Sequence, residues 1–96
     1  MTAKYVLAHL NGKTYEYWFD DGYWKEAPNP KFFEDIHEAR ETIDFEITAL
    51  IDYQNEAASE GLGQSYHIAA KDYFTTLVTS EDNKDAHLFI IVPIYE

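Results

Sequence analysis

Two turn dipeptides, Asn11-Gly12 and Asp21-Gly22, do most to restrict what this chain folds into. Each supplies residues that tolerate positive φ, and so favours the two-residue type I′ loop whose twist matches that of paired strands. The residues around them alternate apolar and polar as far as Ala27, which is the period of a half-buried strand. A three-stranded antiparallel meander is expected. Setting each dipeptide in a two-residue loop places Leu10 opposite Lys13, Ala8 opposite Tyr15 and Val6 opposite Tyr17. Past the second turn, Asp20 falls opposite Tyr23 and Phe19 opposite Trp24. One face then collects Val6, Ala8, Leu10, Tyr15, Tyr17, Phe19 and Trp24 and reads as the core side. The other collects Tyr5, Leu7, His9, Thr14, Glu16, Trp18, Asp20, Tyr23 and Lys25 and reads as the wetter side.

Pro28-Asn29-Pro30 ends the meander, because proline cannot donate to a ladder. Beyond it Phe33, Ile36, Arg40, Ile43, Ile47, Leu50, Gln54 and Ala57 recur three and four apart, the spacing of one helix face. The helix is expected from about Lys31 or Phe32 to about Ser59. Glu34, Asp35, Glu38 and Glu41 crowd its first turns, where the macrodipole favours negative charge, and Gly61 and Gly63 mark its stop. At about 1.5 Å per residue it is roughly 40 Å long, which leaves a break near Thr42 as an alternative. Ser65–Ala70 leans toward strand. Lys71–Thr79 and Ala86–Tyr95 are β-branched and aromatic, with the polar loop 80–85 between them, which predicts a hairpin. Leu88, Phe89, Ile90, Ile91 and Val92 are apolar on both faces, so this strand belongs inside the sheet. Pro93 predicts a ladder that weakens on one side. The order βββ-α-ββ predicts a single α+β domain over residues 1–96, a mostly antiparallel five-stranded sheet with one long or broken helix packed on one face.

Composition then separates the function classes. Asp and Glu number 18 against seven Lys plus Arg, a formal net charge of −11 on 96 residues. So high a charge suits a disordered chain only where apolar residues are scarce. Here 46% of residues are hydrophobic and 17% aromatic, which predicts a folded body with a strongly negative exterior. Such an exterior repels nucleic acid and anionic membranes and is drawn toward basic proteins. The chain has no cysteine, which excludes disulfides, thiolate metal sites and a cysteine nucleophile. No apolar stretch has the length of a signal h-region or a membrane helix, and a soluble cytoplasmic protein is expected.

Catalytic signatures are weak. His37 lies at helical spacing from Glu34 and Glu41, so a small metal or acid–base site around it is a third-ranked reading. The string His37-Glu38-Ala39-Arg40-Glu41 lacks the second histidine of a zincin. His9, His67 and His87 sit on predicted strands and read as ordinary sheet histidines. Gly61-Leu62-Gly63-Gln64-Ser65 matches neither a nucleophile elbow nor a phosphate loop, and Asp82–Asp85 lacks the central Gly and terminal Glu of a calcium loop. Neither an enzyme nor a bound cofactor or metal is expected.

A protein partner fits the residues better. Phe45, Ala49 and Tyr53 lie four apart on the helix, away from the main apolar stripe, among Asp44, Glu46, Asp52 and Glu56. Carboxylates four apart on a helix are about 6 Å apart along its axis, on the scale of backbone phosphates. The expected contact surface is Glu34, Asp35, Glu38, Glu41, Asp44, Asp52 and Glu56 with Phe45 as anchor. A second patch is Glu16, Asp20 and Asp21 around Trp18. In overall type the chain is similar to the small, acidic, cysteine-free inhibitor proteins of phages and mobile elements, DNA mimics and anti-CRISPR proteins among them. That likeness implies occupation of the basic nucleic-acid channel of a nuclease or CRISPR effector, with no direct contact to nucleic acid. The alternative is a homo-oligomeric structural or assembly protein, a homodimer joined through Phe89, Ile91 and Tyr95 or through the open meander face.

Overall fold

A computed structural model describes residues 3–95. Six strands and one helix follow in the order β1 (Ala3–Asn11), β2 (Thr14–Trp18), β3 (Trp24–Lys25), α1 (Ile36–Ser59), β4 (Tyr66–Lys71), β5 (Thr75–Ser80) and β6 (Ala86–Tyr95). The strands form one antiparallel sheet in the spatial order β3-β2-β1-β6-β5-β4. The meander, the α+β class and the interior position of β6 are as expected. The sheet has six strands rather than five because Tyr66–Lys71 pairs with β5 as an edge strand, and β5 begins four residues later than its composition predicts. Asp72 explains the late start. Its carboxylate accepts from the backbone N–H groups of Phe74 and Thr75 at 3.0 and 2.8 Å, closing a turn through residues whose aromatic rings suggest strand. The register of β4 slips by one residue between Ile68 and Ala70.

Both hairpin registers depart from the expected ones. Asn11 pairs with Thr14 and Leu10 with Tyr15, so the first loop is Gly12-Lys13, with Gly12 at φ +60°. That moves the register by two and leaves the faces of β1 and β2 in their expected relation. The second connection has five residues, Phe19–Tyr23, closed by Phe19 N–H donating to the Tyr23 carbonyl at 3.0 Å. Trp18 therefore faces Trp24, a shift of one residue that puts Trp24 on the opposite side from its expected one.

The helix covers the face that reads as wet. Leu7, Phe33, Ala39, Ile43, Ile47, Val78, Phe89 and Ile91 make the buried cluster, with Tyr5, Trp18 and Trp24 packed against it. Val6 and Ala8, on the other face, are buried without joining it. Alternation cannot choose between two apolar faces. Val6, Leu7 and Ala8 are respectively 2%, 0% and 0% exposed, and the large rings of Trp18, Trp24 and Phe33 give the Leu7 side more apolar area to bury.

Phe33 does not open the helix. Its N–H and C=O exchange bonds with Tyr5 at 2.8 Å each, extending the sheet beyond the end of β2. The helix starts at Ile36, and Asp35 caps it by accepting from His37 N–H at 2.9 Å. Gly61, at φ +76°, allows Leu62 N–H to turn back to the Ala57 carbonyl at 2.9 Å and closes the far end. No break occurs near Thr42, whose hydroxyl donates to the Glu38 carbonyl at 2.9 Å. An uninterrupted α1 of about 36 Å fits because the molecule measures 49 × 25 × 22 Å. Pro93 meets the expectation made of it. Ile91 N–H makes a bond to Phe74 on the β5 side, and two residues on, where proline has no donor, β6 pairs with β1 alone. Among the described residues no helix is long and apolar enough to cross a membrane.

Candidate interaction surface

With Ala39, Ile43 and Ile47 buried against the sheet, the 3.6-residue repeat sends Glu38, Glu41, Phe45, Asp52 and Glu56 to the outer side of α1. All five are exposed, and Phe45 keeps 73% of its surface in solvent. Tyr53, 70% exposed, flanks the ridge. The ridge runs about 27 Å from Glu38 to Glu56. Among the described residues no ion pair reaches any of its four carboxylates. An aromatic ring thus stands uncovered in a row of unmatched negative charge.

The other expected helix acids have different employment. Asp35 is the cap. Glu34 precedes the helix and lines, with Glu38, a depression of about 390 Å³ that also contains Lys4 and Lys31, so this end of the ridge is less negative. Asp44 lies on the flank between Arg40 at 3.4 Å and Lys71 at 3.5 Å. Arg40 also donates to the Tyr73 carbonyl and lies over the Tyr73 ring at 5.2 Å. Asp44 therefore helps tie α1 to the β4–β5 turn, and its charge is matched within the fold.

The second patch does not assemble. Trp18 is on the helix side of β2, its indole N–H donating to Glu46 at 2.6 Å and its ring 5.8 Å from Phe33. It is a packing residue and offers no anchor. Glu16 turns to His9, Asp20 pairs with Lys31 at 3.4 Å, and Asp21 pairs with Lys25. Two of the three residues proposed for self-association, Phe89 and Ile91, are buried beneath α1 at 3% and 2% exposure. Tyr95 is exposed.

Sequence reasoning misses a polar network on the helix side. His9 Nε2 and His87 Nδ1 are 2.8 Å apart, so one proton is shared between the two rings. His9 Nδ1 is 3.3 Å from Glu16 and His87 Nε2 is 3.2 Å from Asp85. Asp85 also accepts from the Tyr66 hydroxyl and, at 2.8 Å, from the Asn11 amide. The result is a chain of bonds from Glu16 through both histidines to Tyr66, joining β2, β1, β6 and β4. Burial pushes His9 below its ordinary value, against the opposing pull of the Glu16 hydrogen bond. The bonds from Tyr66 and Asn11 hold Asp85 below the usual carboxylate range, and the same bond pushes Tyr66 up to about 12. The His9–Glu16 contact follows from the observed hairpin register. His87 arrives only through the β1–β6 pairing, for which the sequence carries no local signal.

His37 is exposed, and its backbone N–H serves the helix cap. Among the described residues no three His, Cys, Asp or Glu side chains are grouped so as to hold a metal ion.

No family model, curated protein or solved structure matches this chain.

Proposed function

We propose that this protein is a non-catalytic binding domain that lays the outer ridge of α1 into a cation-rich groove of another protein. The groove is of the kind that holds nucleic acid in a nuclease or CRISPR effector, and occupying it blocks access in the manner of a DNA mimic. The carrying observation is Phe45, exposed at the middle of a row made by Glu38, Glu41, Asp52 and Glu56. An isolated acidic helix face serves solubility well enough. A large ring held in water within that face does not serve solubility, whereas central rings surrounded by charge are typical anchors of protein interfaces. The carboxylates meet Arg and Lys, steer the approach and set the register, while Phe45 fills an apolar gap between the basic side chains.

The test is affinity capture of basic nucleic-acid-binding proteins, repeated across a salt series. Reversing Glu38, Glu41 and Asp52 together to Lys is expected to abolish capture, and Phe45→Ala to weaken it by about 2 kcal/mol, roughly 30-fold. Asp44→Asn, which removes an acid already matched, should change affinity little. Undiminished capture by the triple variant removes the ridge from the reading.

A further inference from the structure

The helix covers only one face of the sheet. Antiparallel pairing puts Val6, Ala8 and Leu10 of β1 beside Val92, Ile90 and Leu88 of β6 on the other. No described helix or strand lies across them, although Val6 and Ala8 are already only 2% and 0% exposed and the other four are half-buried. Tyr15 and Tyr17 extend the apolar area over β2, their rings 5.1 Å apart and edge to face. We infer that this face is where a second copy of the chain docks, sheet against sheet, giving a four-layer dimer with both α1 helices outside.

Charge selects this occupant. Acids dominate the chain, yet no Asp or Glu occurs among the strand residues of this face, and Lys25 at its margin is matched by Asp21. The one acid within a strand, Glu16, points to the helix side toward His9. Two molecules of charge −11 can approach closely only through a surface that leaves their carboxylates far apart. Sheet-to-sheet packing does this, since the α1 ridges then lie at opposite extremes. The size suits a weak association. With strands about 4.8 Å apart and a rise of about 3.4 Å per residue, the 5, 9, 10 and 6 residues of β2, β1, β6 and β5 cover roughly 490 Å². Two such faces bury on the order of 1,000 Å², in the range of weak or transient interfaces. Its aliphatic and tyrosine composition matches the interior of homodimer interfaces. This association is independent of the ridge, which stays exposed in the dimer.

Light scattering on a sizing column, with sedimentation equilibrium up to several hundred micromolar, decides the matter. The wild-type chain is expected at twice its 11.2 kDa, with little change on adding salt. Leu88→Glu, and the milder Tyr15→Lys at the exposed margin of the face, are expected to shift the population to monomer. The ridge reversal Glu38, Glu41 and Asp52→Lys is expected to leave the dimer intact. A wild-type protein that stays at 11.2 kDa throughout overturns the inference. So does a dimer that survives both Tyr15→Lys and Leu88→Glu, whatever the ridge reversal does.

Discussion

Trp18 shows how one side chain carries several levels of this structure. Its ring joins the cluster beneath α1 and its indole N–H is satisfied by Glu46. Removing the ring therefore costs both packing and a charge-assisted bond. Trp18→Ala is expected to destabilise the fold by about 3 kcal/mol, the low end for a large aromatic because the residue is only partly buried. Trp18→Phe should keep most of the packing and cost about 1.5 kcal/mol for the lost bond to a carboxylate. Chemical denaturation of the two variants checks both figures.

His9 makes the prediction for pH. Its folded value lies below the ordinary 6.5 because burial disfavours the charged ring. The unfolded chain therefore takes up a proton that the folded one refuses, and acidification favours unfolding. The contribution is complete above about pH 6.5 and is lost as pH falls from there through the lowered His9 value. The burial has a visible geometric origin, since the His9 ring stacks on Phe89 and His87 with centroids 4.6 and 5.0 Å away. The urea midpoint should decline between pH 7.5 and 5, and His9→Gln should flatten that decline. An unchanged slope in the variant would mean that the histidine pair does not govern acid stability.

At the scale of elements, the first hairpin and the body of the helix are legible in the sequence, while the loop lengths, the helix start and the pairing of faces are not. Asn11-Gly12 does locate a hairpin and the Ile36–Leu50 spacing does locate α1, because both signals are local and have no strong competitor. The error over which side of β1 meets the helix has a definite cause. Successive residues Val6, Leu7 and Ala8 are all apolar, so the period-2 signal vanishes in the strand that lies beside β6 near the middle of the sheet. From that error followed the misplacing of Trp18 as an exposed anchor. The acids of the ridge were legible for the opposite reason, since once Ile43 and Ile47 point inward the helix period alone assigns Glu38, Glu41, Asp52 and Glu56 outward. What helical spacing does not reveal is pairing across elements, such as Asp44 with Lys71.

The ends of α1 offer a test at the same scale. Asp35→Ala removes the acceptor for His37 N–H and should cost about 1 kcal/mol. Asp35→Asn should retain most of that stability. Thermal unfolding with circular dichroism would register the difference, and equal losses in the two variants would discount the cap.

For the whole molecule, electrostatics opposes compaction. Four ion pairs of Lys or Arg appear among the described residues, against a net charge of −11 with histidines neutral. Salt screens the attraction within the exposed pairs and the repulsion between the many unmatched carboxylates alike. The second effect is larger here. Raising NaCl from about 20 to 200 mM, which shortens the Debye length severalfold, is expected to raise the melting temperature by a few degrees. A fall would show that the local pairs outweigh the general repulsion.

The one-residue slip at Ala69 has a consequence for how far the protein can grow. A sheet bordered by a straight, unpaired strand invites further strands to add without limit. Here the ladder at one border shifts register at Ala69, and the other border is β3, only two residues long. Neither offers a foreign chain a long run of aligned amides to join. Recruitment by lateral stacking of backbones is thereby discouraged, and fibrils should be slow to form even where the molecule is concentrated.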